Sequence, residues 1–376
     1  MLDFKKFKKI DGITFILLLA LVAVGTIAVY DATQHSDLRG IYWNQIIMFL
    51  TFCIPMFLIA LLDYHVLISR LAYILYGIVI ILLVMVLFMG STLNGATRWI
   101  SIGGFQLQPS EMMKVVTILL GVHLLKKHQG KELRSFRDIA PIMAVFFVPL
   151  LLILKQPDLG TGLVFIGIML GMLWIGNIRA SYMVIGFVGC SLLVLTIFGL
   201  YFYNEELLAK IIHPHQLARI QSFLDPTSDP DKSWHVDNAI LAIGSGQLSG
   251  SDGKYLEGGF IPYAYSDSIF VVIGHRYGFI GSSVLILLFF LLIWRLVGIA
   301  RDSRDLAGTY LVVGVLGMFI FQIFVNIGMH IGLLPLTGIS LPFISYGGSS
   351  MLTNLIAIGL ALSVHAYKND IPYDDL

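Results

Sequence analysis

Charged residues are scarce in this sequence of 376 residues: Asp, Glu, Lys and Arg make up 12% of it, whereas hydrophobic residues make up 57%. Soluble domains usually carry about 25% charged residues, so the composition excludes an ordinary soluble domain. Only two cysteines are present, Cys53 and Cys190, and both lie in apolar runs. They indicate neither a disulfide framework nor a metal site. The net charge of +1 gives no indication of nucleic-acid binding.

Long apolar runs are what the sequence has in abundance. A membrane-spanning helix needs about 20 mostly apolar residues to cross about 30 Å of hydrocarbon. Ten segments fit this pattern, centred in 13–30, 42–62, 71–90, 111–125, 139–154, 160–177, 182–203, 267–294, 307–330 and 349–366. We therefore predict that residues 1–376 form a single all-α integral membrane domain, a polytopic bundle of ten transmembrane helices.

The loops between these segments indicate which way the bundle faces, because cytoplasmic loops of membrane proteins carry an excess of Lys and Arg. With the N-terminus in the cytoplasm, the cytoplasmic segments hold fifteen Lys and Arg residues and the outer segments hold seven. This asymmetry predicts a multi-pass membrane protein with both termini in the cytoplasm. Residues 204–266 then form the one long extracytoplasmic loop.

Short polar motifs stand at the starts of several predicted helices. These helices all begin at the outer face in the predicted topology, so their motifs are expected to converge there. The polar residues concerned are Arg98 before the fourth helix, Glu111 and Lys114 in the fourth, Asp158 at the start of the sixth, Asp267 at the start of the eighth and Ser349 at the start of the tenth. Convergence of this kind predicts a site at the outer leaflet.

Each of these polar residues also has a purely structural interpretation. Glu111 and Lys114 are three residues apart on one helix face, the spacing of an ion pair that lets two charges sit in a membrane. Asp158 and Asp267 stand where a side chain can cap a helix, and Arg98 can anchor a loop at the membrane interface. The sequence leaves these alternatives open beside substrate binding and, for Asp267, general-base catalysis.

The segment 326–350, NIGMHIGLLPLTGISLPFISYGGSS, is apolar but interrupted by glycines and prolines. Such residues at membrane depth free backbone groups that lipid cannot satisfy, so the segment has to be buried in protein or line a watery cavity. We expect it to border a hydrophilic cavity that is open to the outer leaflet.

These motifs resemble those of the SEDS family (shape, elongation, division and sporulation), and most closely its RodA branch. In the family order they are GATRW, QPSEMMK, KQPDLGTG, RIQSFLDP, AIGSG, SDSIF, YGFIG and the segment 326–350, together spanning residues 95–350. The resemblance implies a peptidoglycan glycosyltransferase of the bacterial plasma membrane that polymerises lipid II in cell elongation and cell-shape maintenance, beside a class B penicillin-binding protein. It implies Asp267 as the catalytic residue.

Such a reaction joins a sugar hydroxyl to an anomeric carbon that carries a polyprenyl pyrophosphate. It needs a base for the hydroxyl and positive charge for the leaving group. Asp267 is the candidate base. The candidate cations are Arg98, Lys114 and Arg219, with a bound Mg²⁺ as an open alternative; no protein metal site and no other cofactor is expected. The predicted substrate-binding residues are Arg98, Glu111, Lys114, Asp158, Arg219 and Ser349.

The expected partners are lipid II, a polyprenyl-linked glycan, membrane lipids and the membrane helix of the penicillin-binding protein, and not nucleic acid. We expect the partner's helix to pack on the eighth and ninth helices near Phe289, Phe290, Gly314 and Gly317. The reason is that small residues permit close approach between helices in a membrane.

The sequence departs from the RodA-like pattern around Asp267. Tyr263, His275 and Arg276 stand where that pattern has glutamates, so a catalytically weakened scaffold that activates a transpeptidase is one alternative. A lipid flippase or transporter is another, because broken helices and intramembrane charges also build transport sites. The lack of a clear internal repeat and the gathering of polar motifs at one face favour the enzyme over the transporter.

Overall fold

The computed structural model describes residues 4–93, 96–103, 105–211, 214–224, 230–252 and 254–370, and these residues are mostly helical. Short 3₁₀ helices cover Phe4–Lys9 and Lys126–His128, and the strands are β1 (Ser91–Leu93), β2 (Ala96–Ile102) and β3 (Phe105–Leu107). The α-helices are α1 (Gly12–Thr33), α2 (Ile41–Ala60), α3 (Tyr64–Leu67), α4 (Arg70–Met89), α5 (Pro109–Leu125), α6 (Phe136–Lys155), α7 (Leu159–Ile175), α8 (Ala180–Tyr203), α9 (Glu205–Ile211), α10 (Pro214–Leu224), α11 (Pro230–Ser245), α12 (Lys254–Glu257), α13 (Ile269–Arg301), α14 (Leu306–His330) and α15 (Gly348–Ala366).

Ten of these helices coincide with the ten predicted spans. Within the described ranges, eight are long and apolar enough to cross a membrane: α1, α2, α4, α6, α8, α13, α14 and α15. The apolar helix α7 is shorter, with 17 residues, and α5 has the same length but carries buried Glu111 and Lys114. The all-α polytopic membrane fold is thus confirmed, and the count of ten spans stays a prediction.

Two features of the fold were not predicted from the sequence. Residues 91–107 include a small antiparallel sheet with strand order β1-β2-β3, which stands directly before α5. The segment 204–266, predicted only as a long loop, contains the helices α9 to α12 in its described parts. Of these, α11 packs on α13, where Ala242, Ile261 and Val271 share a small buried cluster.

The centre of the bundle is formed by α5, α7, α14 and α15, and glycines bring α14 into backbone contact with α7 and α15 into backbone contact with α2. A methyl group added at Gly317 of α14 would lie 3.2 Å from the Gly167 carbonyl oxygen of α7. One added at Gly359 of α15 would lie 2.6 Å from the Met56 carbonyl oxygen of α2. Helices in a membrane associate through such close packing because lipid removes the hydrophobic driving force between them.

The same packing corrects the predicted contact surface for a partner helix. Gly314 packs against Ile118, since an added methyl group would lie 2.6 Å from its Cγ2, and Gly317 packs on α7. Phe289 is 2% exposed. These three residues serve contacts within the bundle, so their assignment to a partner surface was wrong. Phe290, at 59% exposure, does face outwards.

Helix α13 is broken at Gly278, where φ is 62° and ψ is −155°, a conformation that strains any residue except glycine. The segment 246–252 crosses this break and supplies its hydrogen bonds. The amide of Phe279 donates to the Gln247 carbonyl at 2.9 Å, and that of Ile280 donates to the Leu248 carbonyl at 3.1 Å. The backbone freed by the break is therefore satisfied inside the protein, as a membrane requires.

We predict that Gly278→Ala strongly destabilises the protein. Its methyl group would lie 2.6 Å from the Gly250 amide nitrogen, and the strained backbone adds to this overlap, at a total cost of roughly 2–5 kcal/mol. The measurement is thermal unfolding of the detergent-purified protein. Gly189→Ala on α8 is the control, because no described atom lies within 4 Å of its added methyl group. Equal transition temperatures for the two variants would contradict this account of the break.

Candidate active site

Asp158 and Arg98 form a buried pair at the start of α7. The Asp158 carboxylate caps the helix by accepting from the Thr161 amide at 3.1 Å, and it lies 3.6 Å from Arg98 Nη1. Arg98, on β2, also donates to the carbonyls of Gln156, at 3.2 Å, and Pro157. The capping interpretation of Asp158 is therefore correct, and Arg98 fixes the sheet to the turn between α6 and α7.

Ser349 joins the same network from the first turn of α15. Its hydroxyl donates to the Gln106 carbonyl at 2.8 Å and accepts from the Gln108 amide at 3.0 Å. The Gln108 side chain in turn donates to Asp158 Oδ2 at 3.3 Å. The structure thus brings Arg98, Asp158 and Ser349 together, with Gln108 as the link between them.

Asp267 is held through its backbone by the end of α14. Its carbonyl oxygen lies 2.8 Å from Asn326 Nδ2 and 2.9 Å from His330 Nε2, so both side chains donate to it. Asn326 Nδ2 also donates to the Ile339 carbonyl at 2.7 Å. The N-cap of α13 is Ser268, so the capping interpretation of Asp267 was wrong.

The Asp267 side chain faces Arg219 across Gly338. A methyl group at Gly338, whose φ is 74°, would lie 3.5 Å from Asp267 Oδ2 and 4.0 Å from Arg219 Nη2. Burial raises the pKa of Asp267 to about 6, against the opposing attraction of Arg219. Burial and repulsion from Arg98 lower the pKa of Arg219, and Asp267 and Asp158 act in the opposite direction. Arg219 therefore lies within electrostatic reach of Arg98, Asp158 and Asp267.

Glu111 and Lys114 form an ion pair of their own in α5. Lys114 Nζ donates to Glu111 Oε1 at 2.8 Å, and the two residues are 1% and 6% exposed, respectively. The second carboxylate oxygen of Glu111 has no hydrogen-bond partner among the described residues. The ion-pair interpretation is therefore correct. Within the described part of the chain, no three His, Cys, Asp or Glu side chains are grouped so that they could hold a metal ion.

The broken segment that follows α14 is buried in protein at its centre, which is one of the two settings that the sequence allowed; the hydrophilic cavity beside it stays a prediction. Residues 341–345 are all buried. The Leu341 amide donates to Ser345 Oγ at 2.7 Å, and Gln45 Nε2 of α2 donates to the Ile344 carbonyl at 3.2 Å. A methyl group at Gly25 of α1 would lie 2.7 Å from Ile344 Cα, so α1 covers the segment at backbone distance.

The three departures from the RodA-like pattern lie in the turn before α13 and in the part of α13 before its break. His275 is fully buried, with Nδ1 2.8 Å from Ser245 Oγ at the end of α11. Arg276 Nη1 lies 3.5 Å from the Ser251 carbonyl oxygen, and Tyr263 is 44% exposed in the turn before α13. His275 and Arg276 thus hold α11 and the segment 246–252 against the broken part of α13.

Sequence reasoning missed Asn326, His330 and Gln108 as residues that build the site. A signal was present for the first two, because polar side chains inside an apolar helix are costly in a membrane and mark functional positions. Gln108 lies inside the QPSEMMK motif but gave no sign of its link to Asp158. Gly338 was read only as a helix breaker, whereas its missing side chain leaves room between Asp267 and Arg219.

A family model described as cell cycle protein, for FtsW, RodA and SpoVE, matches residues 11–370. Stage V sporulation protein E of Bacillus subtilis (strain 168) is 34% identical over 374 residues, which cover 95% of this chain and 97% of that protein. A probable peptidoglycan glycosyltransferase FtsW of Geobacter metallireducens is 32% identical over 382 residues, covering 99% and 98%. These likenesses extend over nearly the full length of both proteins.

Two solved structures share the fold. One belongs to a peptidoglycan synthase complex that coordinates polymerization and crosslinking; its TM-score is 0.80 at 29% identity, covering 96% of this chain and 99% of that one. The other is the crystal structure of the rod shape determining protein RodA of Thermus thermophilus, with a TM-score of 0.70 at 28% identity, covering 96% and 98%.

We predict that Asp267→Asn stabilises the folded protein at alkaline pH. An aspartate whose pKa rises from about 3.9 when unfolded to about 6 when folded binds its proton more tightly in the folded state. Its charge therefore costs stability above pH 6, and this cost disappears as the pH falls towards 4. Asparagine removes the charge, so the gain is on the order of 1–3 kcal/mol at pH 8.

Thermal unfolding at pH 8 and pH 4 measures this effect. The control is Asp252→Asn, which removes an exposed carboxylate in the segment 246–252 and should change stability little at either pH. A gain for Asp267→Asn that is the same at both pH values, or a loss at pH 8, would contradict the raised pKa.

Proposed function

Since the chain belongs to the FtsW/RodA/SpoVE family of cell cycle proteins, the SEDS family that its motifs resemble, we propose that it is a peptidoglycan glycosyltransferase that polymerises lipid II into glycan strands. The observation that carries this proposal is the setting of Asp267. Its backbone is fixed by Asn326 and His330, and its carboxylate and Arg219 both approach Gly338. The name of the similar FtsW protein of Geobacter metallireducens supports the reaction class.

In the proposed reaction, the ionised Asp267 carboxylate takes the proton from a hydroxyl of the acceptor sugar. The hydroxyl oxygen then attacks the anomeric carbon of the donor. The bond from that carbon to the polyprenyl pyrophosphate breaks, and its electron pair leaves with the pyrophosphate. Attack from the opposite face inverts an α-linked donor into a β-linked product. A base with a pKa of about 6 is mostly ionised at pH 7 and well matched to this task.

The leaving pyrophosphate needs positive charge, and Arg219 is the cation nearest to Asp267 in this proposal. Arg98 adds charge from β2, although its donors already serve the turn before α7. Lys114 is held by Glu111 inside the bundle, so its proposed role is to keep that carboxylate neutralised rather than to bind substrate directly. A Mg²⁺ ion carried by the pyrophosphate would supply the same kind of compensation.

The substrates carry long polyprenyl tails, which suits a site at the end of a membrane bundle. We place the tails in the outer leaflet and the pyrophosphates in a hydrophilic cavity lined by Arg98, Asp158, Asp267 and Ser349, with both chain termini in the cytoplasm. The Lys and Arg asymmetry of the loops supports this orientation. Labelling of a Lys131→Cys variant from outside intact cells would contradict it.

The alternatives receive less support from the contacts. A transporter needs polar groups that can be reached from both faces, and the network of Arg98, Asp158, Ser349 and Gln108 lies where α5, α7 and α15 all begin. A scaffold without catalysis is suggested by His275 and Arg276. Their contacts, however, are with α11 and the segment 246–252, which leaves the environment of Asp267 intact.

We further propose a role in elongation, as in the RodA branch, with a class B penicillin-binding protein as partner. The fold shared with a chain of a peptidoglycan synthase complex supports a partner of this kind. Its membrane helix is placed on the outward face of α13, where Leu287, Phe290 and Trp294 are 53%, 59% and 64% exposed. Photo-crosslinking from position 290 and from outward positions on α1, α2 and α4 tests this placement, and partner crosslinks obtained only from α1, α2 and α4 would contradict it.

We predict that Asp267→Asn nearly abolishes polymerisation, with a loss of about 10²–10⁴-fold. Asparagine keeps the shape of the side chain but cannot accept the proton. The measurement is the yield and length of glycan polymer made from fluorescent lipid II by the purified protein with its transpeptidase partner. Asp252→Asn is the control and should polymerise normally. Undiminished polymer from Asp267→Asn would refute the catalytic assignment.

A further inference from the structure

A cavity of about 290 Å³ opens at the end of the bundle where α1 begins and α15 ends. We call this end the terminal face. Since Ser349 lies at the start of α15 and the cavity lies at its other end, the cavity is separated from the Asp267 site by the length of that helix. Lys8, Lys9 and Lys368 line the cavity together with Asp11 and His365.

The carboxylate in this cavity is already occupied within the protein. Asp11 accepts from Arg295 Nη2 at 2.5 Å and from Arg295 Nε at 2.9 Å, and it caps α1 by accepting from the Thr14 amide at 2.9 Å. Burial acts to raise the pKa of Asp11, but the hydrogen bonds from Arg295 and Thr14 outweigh it and hold the pKa well below its usual range. Asp11 is therefore ionised and neutralised by Arg295.

The three lysines, in contrast, form no ion pair with any other described residue. The neighbouring Lys6 shows the difference, because it is paired with Asp370 and lies over the Tyr367 ring. Among the described residues these three lysines have no counterion, so the cavity suits an anionic group.

The apolar surroundings indicate what carries that anion. Gly12 lines the cavity, and the residues that follow it on α1 present Ile13 and Ile16 outwards, at 54% and 66% exposure. Phe7, on the 3₁₀ helix before α1, is 57% exposed. A ligand with its phosphate among the lysines would find an apolar surface beginning beside it and running along a membrane-spanning helix.

We propose that this cavity binds the phosphate headgroup of an anionic phospholipid, whose acyl chains lie along α1. Basic pockets at the ends of membrane helices bind such headgroups through Lys and Arg. Here the lysines lie at the end of α1, and the exposed apolar side chains follow them along that helix. The site is independent of the proposed polymerisation reaction. In this site, the 3₁₀ helix that precedes α1 and the residues that follow α15 would contact the same lipid headgroup.

The test is binding of phosphatidylglycerol to the full-length, detergent-purified protein, measured by native mass spectrometry with zwitterionic phosphatidylcholine as comparison. The wild-type protein should retain phosphatidylglycerol selectively. The variant K8Q/K9Q/K368Q should bind it on the order of a hundredfold more weakly, because each lysine near a headgroup contributes about a factor of five. The variant K8R/K9R/K368R keeps the charge and should retain the lipid.

The matched control is K126Q/K127Q/K131Q, which removes three lysines from the same end of the bundle, just after α5. Wild-type affinity is expected for this control. The proposal is overturned if the control loses as much affinity as K8Q/K9Q/K368Q, or if that variant binds like the wild type. Loss of binding in K8R/K9R/K368R equal to the glutamine variant also overturns it. Displacement of the lipid by an equal concentration of inorganic phosphate would refute the phospholipid as ligand.

Discussion

A break in a membrane helix has to find new partners for the backbone groups that it frees, because lipid offers none. This constraint shapes the half of the protein that holds Asp267. One break is at Gly278 in α13, and the segment 246–252 satisfies it. The other break follows α14, where Asn326 donates to the Ile339 carbonyl and Gln45 donates to the Ile344 carbonyl. Asp267 lies just before the broken helix α13, and Asn326 joins its carbonyl to that of Ile339 in the second break.

Asn326 shows how directly the backbone constraint serves the site. Its one amide group donates both to the carbonyl of Asp267 and to that of Ile339. The start of α13 is thereby fixed to the segment that carries Gly338, the residue next to the carboxylate. Two other pairs of charges in the site are ion pairs, Arg98 with Asp158 and Lys114 with Glu111. Asp267 differs because burial raises its pKa more than the attraction of Arg219 lowers it. Such an environment lowers the stability of the folded protein but suits a general base.

The positions of the helices could be predicted because long apolar runs have few alternatives, and convergence of the polar motifs followed from counting spans. Local sequence could not decide which way small residues face. Gly314 and Gly317 fitted a partner interface but pack within the bundle. Local sequence also could not show that the segment 246–252, which follows the AIGSG motif, packs on the break at Gly278 in the YGFIG motif. That contact joins residues far apart in the chain. Asp158 was correctly left open as a helix cap, whereas Asp267 is not the cap of α13.

The central claim is that Asp267 and the arginines around it form the site of glycosyl transfer. Its most direct test is an experimental structure of the Asp267→Asn variant with lipid II bound. The account predicts the donor pyrophosphate next to Arg219, within reach of Arg98, and the acceptor hydroxyl within hydrogen-bond distance of the side chain at position 267. A pyrophosphate bound away from both arginines, with position 267 in contact with no sugar, would contradict it.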